Sequence, residues 1–211
     1  MATKGEQTAT AVREKATDFF FEKGFSATTL REVASAAGVK VSSLYNHISS
    51  KEDLLQQVMG SFMDDIIADT EDALDGETEA IDRLLSVVDS HLRFHATEAR
   101  KVFIGNNNLR FLSQEARNEI TAKRSEYVRR IQDIIEEAGQ AGVATILDSR
   151  LQAYAIIALG TDVATWYRPD GRLPLDEIVD IYSKIALRGL SVSEADARVD
   201  SRRRARTSLA G

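Results

Sequence analysis

The chain has 211 residues, a net charge of −6, 43% hydrophobic and 28% charged residues, and no cysteine. That length allows a small head plus a body with a real core, and the lack of cysteine excludes a disulfide framework and a thiolate metal site. No apolar run reaches the roughly 18 residues of a membrane helix, and the opening MATKGEQTAT has no signal-peptide core, so a cytoplasmic protein is the default expectation.

Residues 1 to about 6 are expected to be disordered. A helix follows from about Glu6 to Lys23, burying Val12, Ala16, Phe19 and Phe20, and Gly24 stops it. Thr29 and Glu32 form a T-x-x-E capping box that opens a short helix with Leu30, Val33, Ala34 and Ala37 as its stripe. Gly38 tolerates a positive φ, so it ends this helix and reverses the chain. A second short helix is expected from about Val41 to His47. Leu44 and Ile48 face the core, which leaves Lys40, Val41, Ser42, Ser43, Tyr45, Asn46 and His47 largely free. Ser50 with Asp53 makes another capping box, starting a long helix from about Lys51 to Leu74. A short helix with a small polar face beside a rigid partner suits the major groove. The alternative is a plain helical hairpin inside a larger bundle. Residues 1–54 hold seven Lys/Arg and seven Asp/Glu, so the acidic excess lies in the body.

Further helices are expected over about Glu77–His95, Glu98–Gly105, Gln114–Ala138, Ser149–Tyr167 and Pro174–Leu190, with no convincing strand. This is an all-α chain of about nine helices. The expected divisions are a helix-turn-helix head over 1–54, a body over 55–192, and a disordered Arg-rich tail over 193–211. The last two of these helices are apolar over more than one face, so a twofold interface of two helices per chain is expected, making a homodimer. The tail ends with Arg202, Arg203, Arg204 and Arg206. It reads either as a solvated end or as an arm for salt-sensitive phosphate contact.

The segment KGFSATTLREVASAAGVKVSSLYNHISSKEDLL, with the amphipathic helix before it, resembles the DNA-binding domain of the TetR family of bacterial repressors. The A-G-V turn, the L-Y-x-H run and the S-K-x-x-L helix start all stand in register. Departures are local: Ile48 replaces a usual Phe, Ser49 a common Pro, and Lys40-Val41 a small hydroxyl residue followed by a polar one. The resemblance implies that the chain binds double-stranded DNA as a dimer on a palindromic operator. It implies phosphate contacts from Thr29, Tyr45, His47 and Lys51. Asn46 is placed to read adenine and Arg31 guanine, with Val41, Ser42 and Ser43 at thymine methyls or base edges.

The stretches NNNLRFLSQEARNEITAKRSEYVRRI and WYRPDGRLPLDEIVDIYSKIALRGL resemble a TetR branch that controls lipid or steroid catabolism in response to CoA thioesters. The resemblance implies a repressor released by an acyl-CoA. Such a ligand needs an apolar cavity and cations for its phosphates. Candidates for the cavity are Phe62, Val88, Phe103, Tyr127, Tyr154 and Trp166, and for the phosphates Arg110, Arg124 and Arg168. An enzyme is not expected: there is no cysteine nucleophile, no G-x-S-x-G and no phosphate-binding glycine loop. No cofactor and no metal site are assigned. His91 and His95, four apart with Glu98 behind, keep a metal-responsive regulator as an alternative; a free-acid-responsive regulator and a ligand-independent DNA-binding protein are the others.

Overall fold

The computed structural model describes residues 3–209, with side chains to Arg206. In chain order the helices are α1 (Lys4–Glu22), α2 (Leu30–Ala36), α3 (Val41–Leu44), α4 (Lys51–Leu74), α5 (Ala80–Thr97), α6 (Ala99–Asn107), α7 (Gln114–Gln140), α8 (Ser149–Thr161), α9 (Val163–Trp166), α10 (Leu175–Gly189) and α11 (Ala195–Leu209). A 3-10 turn, Leu109–Phe111, joins α6 to α7. The expected all-α fold stands, and no strand occurs among the described residues. No helix among them is long and apolar enough to cross a membrane.

The chain forms two compact units. The first holds the residues up to Asp65 together with Glu98–Arg124. Its core joins Val12, Ala16 and Phe20 of α1, Val33 and Ala34 of α2, and Leu44. From the start of α4 come Leu54, Leu55, Val58 and Met59, and from later in the chain Ile104, Leu112, Ala116 and Ile120. Each large side chain buried this completely stabilises the unit by roughly 1.5–3 kcal/mol. Ile48 is 4% exposed and fills the same core.

The second unit holds Ile66–Thr97 and the chain from Ser125 onward. Helix α5 is its centre, with Ile81, Leu84, Leu85, Val87, Val88, Leu92 and Phe94 buried. Helices α8, α9 and α10 pack on it, and α11 packs on α10.

Three expectations are corrected. The start of the chain is helical from Lys4, because Thr3 and Glu6 make a reciprocal capping box of their own. The eighth helix ends at Thr161, where the Asp162 carbonyl takes both the N–H and the hydroxyl of Thr165 and a separate turn, α9, begins. The tail expected to be disordered is helix α11 over Ala195–Leu209. Val192 just before it and Ala195 and Val199 on it are buried. Its arginines meet carboxylates from distant parts of the chain. Arg202 pairs with Glu77 at 3.0 Å, and Arg206 pairs with Asp180 at 2.7 Å and with Asp89. Arg203 approaches Asp180 at 3.6 Å. Nearby sequence offered few such partners, so composition alone pointed to disorder. Met1, Ala2, Ala210 and Gly211, at the two ends expected to be disordered, lie outside the described residues.

Candidate nucleic-acid interface and ligand cleft

Two short helices and one tight turn build the polar face of the first unit. Thr29 caps α2: its hydroxyl accepts from Glu32 N–H at 3.3 Å, and Glu32 accepts from the Thr29 N–H at 2.9 Å and the Thr29 hydroxyl at 2.7 Å. Hydrogen bonds from Lys23 and Thr29 hold the Glu32 carboxyl down to about 2, so the cap stays ionised at any ordinary pH. At the far end Gly38 sits at φ +69°, which an L side chain adopts only with strain. This lets Gly38 N–H reach Ser35 O at 3.1 Å and Val39 N–H reach Ala34 O at 3.0 Å, a paired closure of the helix end.

Helix α3 is shorter than expected, ending at Leu44, with Tyr45, Asn46 and His47 in the turn after it. Leu44 is fully buried and anchors it. Arg31, Lys40, Ser42, Tyr45 and Asn46 are exposed, and Val41, Ser43 and His47 are partly so. Tyr45, at 54% exposed, is the large hydrophobic side chain this face offers most openly. Lys51 is different. Its ammonium donates to the carbonyls of Phe25, Ser26 and Thr28 at 2.9, 3.2 and 2.9 Å. The expected Ser50–Asp53 capping box at the start of α4 keeps its hydroxyl half, and its carboxylate half moves to Ser49. Asp53 N–H donates to the Ser50 hydroxyl, while the Asp53 carboxylate accepts from Ser49 N–H and its hydroxyl.

In the second unit, the α9–α10 connection and α10 enclose a cleft of about 400 Å³. Trp166 and Tyr182 lie near-parallel across it, 6.4 Å between centroids and 20° apart. Arg168 and Arg172 stand at its rim, with Leu173, Ile178 and Ile181 as apolar wall. Burial, with the Asp162 charge adding to it, raises the Tyr182 phenol, which remains a neutral hydrogen-bond donor. Flat apolar surface beside two guanidinium groups suits a ligand that is apolar at one end and anionic at the other.

Residues 12–58 match the family model of bacterial regulatory proteins of the tetR family. Residues 77–190, more than half the chain, match a tetracyclin repressor-like C-terminal domain. The chain belongs to the TetR family. It is 30% identical over 186 residues to the HTH-type transcriptional repressor KstR2 of Mycolicibacterium smegmatis, covering 86% of this chain and 89% of that one. A tetR-family regulatory protein from Rhodococcus RHA1 superposes with a TM-score of 0.83 at 29% identity, covering 92% of this chain and all of that one. AibR, solved in complex with isovaleryl coenzyme A and operator DNA, gives 0.74 at 25% identity, covering 82% and 94%.

Of the expected ligand residues, the cleft of this TetR body gathers Trp166 and Arg168. The others lie apart from it. Phe62 is buried in the first unit against Gly105, whose carbonyl accepts from Arg124 at 2.7 Å. Burial pulls the Arg124 guanidinium below its usual value. Phe103 is 45% exposed and meets Phe21 edge-on, and Arg110 lies over Phe111. Tyr154 is exposed on α8 under Arg150. Val88 and Tyr127 are core. Sequence reasoning missed Tyr167, Arg172, Leu173 and Tyr182. The first three stand in the same W-Y-R-P-x-G-R-L turn as Trp166 and Arg168, so that turn was the available signal.

His91 and His95 are buried in the TetR body and spend their nitrogens on the protein. His91 Nδ1 pairs with the Tyr127 hydroxyl at 2.9 Å and Nε2 with Ile157 O at 3.1 Å. His95 Nδ1 pairs with His91 O at 2.8 Å. Glu98 pairs instead with Lys101 at 3.2 Å. No group of three or more metal-ligating side chains occurs among the described residues.

Proposed function

We propose that the chain is a transcriptional repressor that binds a palindromic operator as a homodimer and is released by a CoA thioester of a fatty-acid or steroid catabolite. The observation that carries the effector class is the cleft: stacked Trp166 and Tyr182 beside Arg168 and Arg172 match an acyl group joined to a phosphorylated carrier. The likeness to KstR2, a transcriptional repressor, and to AibR, solved with isovaleryl coenzyme A and operator DNA, supports the same reading.

The dimer seam in this reading is α8 with α10, and α11 follows it in the chain. Leu151, Tyr154 and Leu159 of α8 and Ile181 and Ile185 of α10 are exposed apolar side chains, between 39% and 65% accessible. This concentration of exposed apolar side chains on two helices of one unit supports that seam. Ile181 belongs to both the seam and the cleft wall, so a ligand in the cleft touches the element that sets how two chains meet. Release follows if the ligand favours a spacing of the two heads that no longer matches successive major grooves; equal affinity for both states would change nothing.

The test is fluorescence anisotropy of a labelled duplex from upstream of the protein's own gene, titrated with fatty and steroid CoA thioesters and with free CoA. One thioester should lower the anisotropy while free CoA does not. Trp166→Ala and Arg168→Ala should keep the DNA affinity and weaken release by about tenfold or more each, the scale of one lost charged or aromatic contact. Release by free acids alone, or variants that respond normally, would remove the thioester from this cleft.

At the DNA, Tyr45 and His47 take phosphate, helped by Lys40 and the N-terminus of α2 at Thr29, while Arg31, Val41, Ser42, Ser43 and Asn46 read bases. Tyr45→Ala should then weaken binding alike across a panel of single-base-pair operator variants. Asn46→Ala should flatten the preference at one base pair, worth roughly 1–3 kcal/mol there. A uniform loss from both substitutions would sink this division of roles.

A further inference from the structure

We infer that Lys51 is an internal clamp that aims the N-terminus of α2, and is not itself a phosphate contact. This rests on the reading of the first unit as a DNA-binding head. An ammonium has three donors, and Lys51 directs them to three carbonyls, those of Phe25, Ser26 and Thr28. The same nitrogen lies 4.6 Å from the centroid of the Phe25 ring, a cation–π contact that closes the cage on a further side.

The caged segment is the turn between α1 and α2, and its last carbonyl belongs to the residue just before the Thr29 cap. The turn is held from beneath as well. Thr28, 1% exposed, donates its hydroxyl to Phe19 O at 3.1 Å and Gly24 O at 2.9 Å. Phe25 stacks on Phe111 at 4.8 Å. Lys51 therefore joins the first residue of α4 to the approach of α2, fixing where the α2 N-terminus points. To reach a phosphate it would have to leave three carbonyls, exchanging three charge-assisted bonds for one. Holding the turn from both sides fixes the direction of α2, the helix that carries Arg31.

The test compares the full-length wild type with Lys51→Met and Lys51→Arg. Arginine keeps the charge and binds phosphate well, but its planar fork cannot feed three carbonyls around one point. Both variants should bind the upstream duplex about tenfold more weakly, as losing the cage misdirects α2. The slope of log affinity against log salt should be unchanged in Lys51→Met, whereas a lost phosphate contact lowers it by about 0.9. A second arm uses no DNA: amide exchange over residues 25–29 should quicken in both variants, with the thermal midpoint showing that Lys51→Arg remains folded. A lowered slope, arginine restoring full affinity, or unchanged exchange in the turn overturns the clamp. Faster exchange together with a wild type that binds no duplex upholds the clamp and removes the DNA-reading assignment instead.

Discussion

Gly160→Ala should cost the second unit about 3 kcal/mol of stability, the upper range for overpacking a filled core. A Cβ built on Gly160 falls inside the van der Waals envelope of the His91 ring, with Nε2 only 2.9 Å away. Such a clash is cheap when the neighbour is the loose end of a flexible side chain. Here it is an imidazole 2% exposed, fixed at Nδ1 by the Tyr127 hydroxyl and at Nε2 by Ile157 O. The added methyl must either push α8 away from α5 or tilt the ring and break both bonds. For a chain of this length the loss corresponds to a fall in midpoint of roughly 6–12 °C. Urea denaturation of Gly160→Ala, His91→Ala and the double variant checks the cause as well as the size. His91→Ala removes the clashing ring, so the double variant should be clearly less destabilised than the sum of the singles. Additive losses would place the cost of the methyl somewhere other than the His91 ring.

That contact was out of reach of the sequence, although both residues were in view. His91 and His95 stand at metal-ligand spacing, and nothing local to α5 says that a glycine 69 positions later lies against the ring. What the sequence did carry is local chemistry. Thr29, Glu32 and Gly38 set both ends of α2 through hydrogen bonds that span only a few residues, and each was legible. The same T-x-x-E pattern at Thr3 and Glu6 was equally local, but it opens a helix whose first turn is polar, so no apolar stripe drew attention to it. The tail failed for the opposite reason. Arg202 and Arg206 find Glu77, Asp89 and Asp180, partners at least 26 residues away. A solvated charge run and a latch of ion pairs have the same composition. Of the ligand candidates, only those within one turn of chain, Trp166 and Arg168, came together. Phe62, Phe103 and Tyr154 are aromatics on helices, and helical spacing alone does not say which neighbour covers a ring.

Lowering the pH from 7 to 5 should destabilise the second unit through the same histidine pair. Burial, acting against the bond to His91 O, brings His95 down to about 4. Burial brings His91 well below its usual value, and the adjacent His95 pushes it further in the same direction. In the unfolded chain both return to roughly 6.5. The unfolded state then binds more protons than the folded one, so stability rises with pH across this window. The contribution is complete above the unfolded value and is lost as pH falls through 6.5 toward the folded values. For His95 alone, falling from pH 7 to pH 5 removes about 2 kcal/mol, and His91 adds a loss of the same sign. Carboxylates act lower: Glu32, held at about 2, and Asp53, lowered by its bonds to Ser49 and Gln57 against burial, lose their contribution mainly below the unfolded carboxylate range. The two effects therefore separate along the pH axis. Denaturation at pH 7, 6 and 5 should show the loss in the wild type and about half of it in His95→Gln, which stays neutral throughout. The two rings are 4.0 Å apart between centroids, and His91 is bonded to the α8 carbonyl of Ile157. A second proton on either ring thus works directly against the seating of α8 on α5. A stability that is flat from pH 7 to pH 5 would mean that water reaches both imidazoles in the folded chain, and the tight α5–α8 contact inferred from Gly160 would fall with it.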